Sequence, residues 1–315
     1  MHLSISNSRT PTIAHIALLL ASCTVFCASV ELVTAHFFGR VSRIERRREP
    51  EYRDALAIRS ARTRHKISVL VAGNSLLLHG VDFPQLQRDV GLEIELHRTV
   101  FENTAFLDWY YGLQRIFRAG AQPDVIVLVL SPAQLTSASF DGDYIVHMLV
   151  DRHDLMRFAN DISADRNQIS VLALDNLSYS FGTRAEIRTW ILGKALPDLP
   201  RLTGYFRSHY KYDPTDSNKT LELATKRLKQ LRYLCESHGT GFVLVVPPTF
   251  QDSGTNAVLK AGASQDVAVL IPFPPGALPW SDFSDEIHLN PTGAVKFTPA
   301  LAVSLKQFMA QNVAQ

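Results

Sequence analysis

The sequence predicts an α/β protein, in which a doubly wound parallel sheet of five strands follows one transmembrane helix. Three observations support this fold class. An uncharged apolar run occupies residues 13–30, and short β-branched runs alternate with helix-period segments from residue 67 onwards. In addition, 46% of the 315 residues are hydrophobic and 20% are charged, which is the balance of a folded chain rather than a disordered one.

The first 40 residues predict a membrane anchor. Residues 13–30 carry no formal charge, and apart from Glu31 and two histidines the apolar character continues through Phe38. A helix of about 18 apolar residues is the minimum that crosses a hydrocarbon core of about 30 Å. Two other interpretations stay open: a buried core helix, and a bacterial lipoprotein whose processing site at residues 20–23 would leave Cys23 lipidated.

A basic juxtamembrane linker, residues 41–65, is expected between the anchor and the folded domain. Only Arg9 precedes the apolar run, whereas six arginines follow it, with glutamates interspersed as intrahelical partners. These arginines are Arg40, Arg43, Arg46, Arg47, Arg48 and Arg53. We expect them to be solvated or to contact anionic lipid head groups. Taken alone, the positive-inside rule would leave the C-terminal body in the cytoplasm.

Residues 66–315 predict the sheet and its covering helices. Strands are expected where short apolar runs stop at turn-forming residues: 67–72, 94–100, 124–130, 241–246 and 267–271. Helices are expected at 82–89, 108–119, 219–237 and 292–309. This alternation favours right-handed crossovers that cover both faces of a parallel sheet. Residues 136–216 are too long for one crossover, so we expect a helical insertion over one edge of the sheet rather than a separate domain.

Polar residues follow each predicted strand, at the edge where parallel sheets bind their ligands. They are Asn74, Ser75, Asn103, Thr104, Ser131, Thr249, Asp282, Asp285 and His288. Four of them, Asn74, Ser75, Asp285 and His288, belong to two short motifs that carry chemistry. The run Gly73-Asn74-Ser75 places a hydroxyl at a strand-to-helix turn, although a serine there is also a common helix N-cap.

The second motif lies just before the last predicted helix. Asp285 precedes His288 by three residues, so its carboxylate can accept a hydrogen bond from Nδ1 and leave Nε2 free to take a proton. An Asp-x-x-His pair alone would also suit a metal site or a surface turn. Together with Ser75 at the same edge of the predicted sheet, the pair predicts a catalytic triad.

These motifs resemble those of the SGNH, or GDSL, hydrolases, and the resemblance spans about residues 66–312. That family has a flavodoxin-like sheet, a nucleophilic serine after the first strand and an Asp-x-x-His motif near the C-terminus. The resemblance implies that Ser75 is the nucleophile, that His288 is the general base and acid, and that Asp285 orients the imidazole. Asn74 stands where the family's motif usually has an aspartate.

The family's two oxyanion donors are a glycine after the second strand and an asparagine after the third. Neither has a plain counterpart here, because residues 101–105 contain no glycine and residues 131–134 contain no asparagine. Asn103 is the best candidate for a side-chain donor, with the backbone N–H of Ser75 as the second. Losing one such donor typically lowers the rate by about 10²–10³.

An N-terminal span followed by such a domain resembles bacterial proteins that move or remove O-acetyl groups on cell-surface polysaccharides. The resemblance therefore implies a membrane-anchored serine esterase or O-acyltransferase. Its substrate would be an acylated carbohydrate or another ester, and its body would lie outside the cytoplasmic membrane, against the arginine count. A non-catalytic polysaccharide-binding or assembly factor and a flavodoxin-like ligand binder are the alternatives.

Other partners are not expected from the sequence. Lys and Arg total 32 and Asp and Glu total 30, so the net charge of +2 gives no reason to expect a nucleic-acid partner. No cofactor and no metal are expected, because the chain has no glycine-rich phosphate loop and no metal-ligand spacing at His147, His153, His209 or His238. The aromatic run of residues 109–111 is expected to be core, with a carbohydrate platform as the alternative.

Overall fold

A computed structural model describes residues 13–59, 66–138, 140, 142–196 and 217–312. Its sheet has five parallel strands in the order β2-β1-β3-β4-β5, which is the order of doubly wound flavodoxin-like sheets. The strands are β1 (Ile67–Gly73), β2 (Ile94–Val100), β3 (Val125–Val129), β4 (Gly241–Val245) and β5 (Ala268–Leu270). All five coincide with predicted strands to within two residues.

Helices connect and cover the strands, and they are numbered here in chain order. They are α1 (Ile13–Val41), α2 (Arg43–Ala57), α3 (Ser75–Gly80), α4 (Phe83–Val90), α5 (Phe106–Arg118), α6 (Pro132–Thr136), α7 (Gly142–Leu149), α8 (Leu155–Asp161), α9 (Arg166–Leu177), α10 (Tyr179–Gly182), α11 (Arg184–Ala195), α12 (Ser217–Glu236), α13 (Thr255–Ser264) and α14 (Pro291–Asn312). The four helices predicted in the body correspond to α4, α5, α12 and α14. Helices α3, α6 and α13 lie outside the predicted helix ranges, although the strand-to-helix turn at Ser75 implied a helix at α3.

Side chains of the central strands alternate between two buried cores, as a sheet covered on both faces requires. Leu70 of β1 and Leu128 of β3 face a core that α2, α5, α12 and α13 share. Val71 and Val127 face the opposite core, which α3, α4 and α14 complete. The α/β class and the parallel sheet predicted from the sequence are therefore confirmed.

The expected juxtamembrane linker is wrong for residues 43–57, which form α2 and pack onto the folded body. The side chains that face the core are Tyr52, Ala55 and Ile58, each no more than 5% exposed. Glu51 also pairs with Arg98 of β2 at 2.6 Å. The many charged residues suggested a solvated linker. Instead, ion pairs and a narrow apolar stripe hold α2 against the body.

The insertion expected at residues 136–216 contains α7 to α11 and is continuous with the main core. Tyr144 and Leu149 of α7, and Phe158 of α8, belong to the same buried cluster as the sheet. The insertion packs against α5 and α2. Its buried side chains therefore share one core with the sheet. Residues 197–216 of the insertion lie outside the described residues.

Helix α1 is long and apolar enough to cross a membrane, by its length and composition. Every side chain from residue 13 to residue 30 is exposed, so this part projects from the body that the structure describes. Thr24 and Ser29 donate their hydroxyls to the carbonyls of Leu20 and Val25, at 2.9 and 2.7 Å. Such bonds satisfy polar groups within an apolar helix. At the other end, Phe38 is buried against the domain.

Candidate active site

Ser75 is the first residue of α3, directly after β1. The chain turns tightly here because Gly73 has no side chain. A Cβ at Gly73 would lie 3.0 Å from the carbonyl oxygen of Val129 and 3.1 Å from the Cβ of Leu77. Neighbouring backbone therefore packs closely against the turn, and the turn aims the half-buried Ser75 side chain out of the carboxyl edge of the sheet.

Asn74 fixes the other side of this turn. Its side chain is fully buried, and its Oδ1 accepts a hydrogen bond from the backbone N–H of Leu76 at 3.0 Å, which caps α3. Its Nδ2 donates to the carbonyl oxygen of Thr104 at 2.8 Å. The amide thus links the turn after β1 to the turn after β2. An ionised aspartate at this position has no donor for the second bond.

His288 lies in the loop between β5 and α14, which is braced by its own hydrogen bonds. Phe283 and Leu289 form an isolated antiparallel bridge, and Asn290 caps α14 by accepting from the backbone N–H of Gly293 at 3.1 Å. The fully buried Asp282 receives Lys296 Nζ at 2.6 Å. Asp282, which followed the fifth predicted strand as a candidate, is thus a structural ion-pair partner.

The structure brings Ser75, His288 and Asp285 together. His288 Nε2 lies 2.8 Å from Ser75 Oγ, across 213 residues of sequence, and His288 Nδ1 lies 2.8 Å from Asp285 Oδ2. Asp285 Oδ1 also accepts from the backbone N–H groups of Ile287 and His288, at 2.9 and 2.7 Å. The carboxylate is thereby fixed by three donors, and it orients the imidazole toward the serine.

Electrostatics keep Asp285 ionised. Partial burial opposes ionisation, but the hydrogen bonds from the His288 ring and from two backbone N–H groups outweigh it, so the pKa of Asp285 is lowered. A carboxylate against Nδ1 favours the tautomer with the proton on Nδ1. Nε2 is then the acceptor, and the Ser75 hydroxyl donates to it. This is the arrangement in which a serine can lose its proton as it attacks.

His79 adjoins the triad and was not singled out in the sequence. Its ring meets the His288 ring edge to face, with centroids 5.6 Å apart. Partial burial and the charge of a protonated His288 lower the pKa of His79. The sequence feature that could have identified His79 is its position four residues after Ser75, because residues four apart lie on the same face of a helix. That signal needed α3 to be recognised first.

Asn103, the candidate oxyanion donor, lies on the turn after β2. It is exposed, and its backbone has a φ of 60°, a left-handed conformation that asparagine tolerates better than most residues. The turn itself is anchored beside the serine: Phe101 N donates to Gly73 O at 3.1 Å. Among the residues that the structure describes, no hydrogen bond joins the Asn103 amide to the triad.

Glu102 holds the same turn from the other side. It receives Arg48 Nη2 at 2.9 Å and Arg47 as well, both from α2. Although burial opposes ionisation, these two arginines lower the pKa of Glu102. Arg48 is 7% exposed and also pairs with Glu186 of α11 at 3.2 Å. The arginines were expected to be solvated or near lipid, and at these two positions that expectation is wrong.

The remaining strand-end candidates have local structural roles. The hydroxyl of Ser131 caps α6 by accepting from Gln134 N at 3.3 Å. Thr249 donates to the carbonyl oxygen of Gln251 at 2.7 Å. Thr104 accepts from the indole N–H of Trp109 at 2.9 Å. These side chains therefore stabilise turns beside the site and are not brought to Ser75 by any of these bonds.

The other aromatic and histidine candidates do not gather at the site. Trp109 and Tyr111 are fully buried core residues, as expected. His147 is bonded to the carbonyl of Asp175 at 3.1 Å, and His238 stacks on Phe117 with centroids 4.2 Å apart. His153 is exposed and His209 lies outside the described residues. Within the described ranges, no group of three or more His, Cys, Asp or Glu residues has the geometry of a metal site.

In comparisons with known proteins, no family model matches the chain and no curated protein matches it.

Proposed function

We propose that this chain is a membrane-anchored serine ester hydrolase or O-acyltransferase of the SGNH type. The observation that carries the proposal is the continuous hydrogen-bond chain from Asp285 through His288 to Ser75. Nothing local in the sequence brings a serine and a histidine so distant to 2.8 Å. The flavodoxin-like strand order and the position of the three residues at the carboxyl edge also support this family.

The first half-reaction forms an acyl-enzyme. Ser75 Oγ attacks the carbonyl carbon of the ester while its proton passes to His288 Nε2, and the carbonyl oxygen becomes an oxyanion. Asp285 stabilises the resulting imidazolium. The tetrahedral intermediate then collapses, the bond to the leaving oxygen breaks, and His288 returns its proton to that oxygen. The alcohol leaves and the acyl group stays on Ser75.

The second half-reaction repeats these steps with a new acceptor. Water or a sugar hydroxyl donates its proton to His288 Nε2 and attacks the acyl carbon, and Ser75 Oγ leaves with that proton returned by the imidazole. Water gives hydrolysis, and a sugar hydroxyl gives transfer. The triad is the same for both outcomes, so the acceptor that reaches the acyl-enzyme decides between them.

We propose the Ser75 N–H and the Asn103 amide as the oxyanion donors. Ser75 N lies at the start of α3, and Asn103 is on the neighbouring turn that Asn74 ties to the serine. Rotation of the exposed Asn103 side chain toward the substrate would complete the pair. The missing glycine after β2 favours one alternative, in which the same fold binds an acylated polysaccharide without turning it over.

For the substrate, the proposal is an acyl ester of a cell-surface polysaccharide, with the body outside the cytoplasmic membrane. The arginine-rich segment argued for the opposite orientation. Three of its arginines have glutamate partners in the fold: Arg47 and Arg48 with Glu102, and Arg53 with Glu49. These residues thus have a structural reason to be present on either side of the membrane.

Hydrolysis of short acyl esters tests this function. The full-length protein in detergent should hydrolyse p-nitrophenyl acetate, and Ser75→Ala should reduce the rate to the uncatalysed level. Ser284→Ala is the matched control, because Ser284 is an exposed serine of the loop that carries His288. Undiminished hydrolysis by Ser75→Ala would exclude the triad, whereas equal loss in both variants would mean that the assay reports folding.

A further inference from the structure

The membrane anchor joins the body at the same edge of the sheet as Ser75. Helix α2 runs antiparallel to β2: Arg47 donates to Val100 O at 3.2 Å, at the carboxyl end of the strand. At the other end of the helix, Ile58 O accepts from Gln122 N at 2.9 Å, before β3 begins. The start of α2 therefore lies at the carboxyl edge, and its end lies at the amino edge.

Helix α1 leads into this edge without a linker. A single residue, Ser42, separates the end of α1 from the start of α2, and it is hydrogen-bonded to both helices. Its N–H donates to Phe38 O at 2.9 Å, and its Oγ accepts from Glu45 N at 3.1 Å. About one and a half turns later, Arg47 and Arg48 of α2 reach Glu102. Glu102 follows β2, which pairs directly with β1. The charges of Arg47 and Glu102 also act on His79, beside the triad.

The insertion approaches α1 from the same edge. It leaves the sheet through α6, after the carboxyl end of β3, and α10 meets α1 where the apolar run ends. Glu31 accepts from the N–H of Ser180 at 3.0 Å, and Phe37 meets the ring of Trp190 with centroids 5.7 Å apart. Around this contact the insertion exposes large apolar side chains: Leu174 49%, Leu177 74% and Ile191 52%. Exposed apolar side chains beside a membrane-spanning helix suit the interface region of a bilayer.

We infer that the carboxyl edge of the sheet faces the bilayer and that the acyl ester is carried by a molecule anchored in that bilayer. The chemical part of this inference rests on the proposed function, and the orientation does not. A domain of about 250 residues is roughly 45 Å across. A serine at the far edge would be out of reach of an ester held at the membrane surface. A serine at the near edge meets such an ester at the high local concentration of a shared surface.

Orientation is tested by lipid quenching in the full-length protein reconstituted in phospholipid vesicles. The background carries Cys23→Ala and Cys27→Ala, and the buried Cys235 is retained. One fluorophore is placed at Glu286→Cys, in the loop beside the triad. The matched control is Leu92→Cys, 90% exposed in the turn before β2, at the opposite edge.

A headgroup-labelled quencher lipid should quench the fluorophore at residue 286 several-fold more strongly than the one at residue 92. Equal quenching, or stronger quenching at residue 92, would overturn the orientation. Neither result depends on activity, so this measurement stands even if the proposed hydrolase function fails.

Substrate class is tested with three acetate esters at equal bulk concentration in the same vesicles. They are an acetylated sugar linked to a lipid, an acetate ester on a short phospholipid headgroup, and the acetylated sugar free in water. We expect at least about 10-fold faster release of acetate from a lipid-borne ester than from the free sugar. Whichever of the two lipid-borne esters is hydrolysed faster shows whether the acyl group is carried by a lipid-linked sugar or by a phospholipid headgroup.

Equal or faster turnover of the free sugar would overturn the membrane-bound substrate while leaving the hydrolase function intact. Turnover of none of the three esters, together with no hydrolysis of p-nitrophenyl acetate, would instead refute the proposed function.

Discussion

Replacing Asn74 by aspartate introduces the residue that is usual in the SGNH motif, and the structure predicts that this change destabilises the chain. The Asn74 side chain is fully buried, and its Nδ2 donates to Thr104 O at 2.8 Å. In Asn74→Asp an ionised carboxylate faces that carbonyl, so one hydrogen bond is lost and a buried acceptor is left unpaired. Unpaired buried groups cost about 1–3 kcal/mol, and a buried carboxylate adds to this.

The expected destabilisation is about 2–4 kcal/mol at pH 8, because the bond from Leu76 N to the side chain is retained. For a domain of this size that loss lowers the melting temperature by roughly 5–15 °C. Burial raises the pKa of the new carboxyl above its ordinary value of about 3.9. The protonated form can donate to Thr104, so the penalty is small near pH 4 and grows as the pH rises through the raised pKa.

Thermal unfolding of the full-length protein in detergent, followed by tryptophan fluorescence at pH 5 and pH 8, measures this effect. Trp109 is buried and bonded to Thr104, so it reports on the affected turn directly. Asn256→Asp is the control, since the same chemical change at an exposed position should stay within about 0.5 kcal/mol. A melting temperature for Asn74→Asp equal to that of the wild type at pH 8 would refute the role assigned to the amide.

Three further predictions concern the triad, the α2 contact and the anchor. If the proposed triad acts, Asp285→Asn should reduce esterase activity by about 10³–10⁴, because the amide holds the imidazole in the wrong tautomer. The melting temperature should change little, because the Asp285 side chain is 56% exposed. Activity within tenfold of wild type would contradict this. Glu102→Gln removes one of the two carboxylates that pair with Arg48, which is 7% exposed. We expect the free energy of unfolding in urea to fall by about 2 kcal/mol. An unchanged urea midpoint would show that the ion pair does not stabilise the protein. Deletion of residues 1–40 should release a folded, soluble body. This body should be about 2–4 kcal/mol less stable than the full chain, because the deletion removes the buried Phe38. Equal stability of the two proteins in matched thermal melts would show that Phe38 adds nothing to the stability.

Much of the sheet could be predicted because its strands are buried on both faces. Residues 125–129, for example, are all apolar, and four of the five are β-branched, which is the pattern of a strand buried on both faces. Helix α13 escaped prediction because its sequence is short and rich in small residues, with no side-chain cap at Gly254. The packing of α2 onto the body escaped prediction because ion pairs across the fold hold it there, and a sequence does not show which charges meet.

The contacts of the candidate site also divide into those that the sequence predicts and those that it does not. Asp285 and His288 share one turn of chain, so their contact follows from their spacing, and Ser75 meets them because parallel strands end at one edge. The contact between Glu102 and Arg48 joins elements 54 residues apart and depends on how α2 lies against β2. No local pattern encodes that placement. The position of the Asn103 side chain likewise depends on a turn whose conformation the sequence does not specify.

Reactivity of the serine tests the central claim most directly. We predict that a fluorophosphonate probe labels the full-length protein at Ser75, identified by peptide mass spectrometry, and that Ser75→Ala abolishes the labelling. We also expect His288→Ala to slow labelling by several orders of magnitude, because the hydroxyl then has no base at 2.8 Å. Absence of labelling in folded wild-type protein, or equal labelling of wild type and His288→Ala, would contradict the proposal that Asp285, His288 and Ser75 act as a catalytic triad.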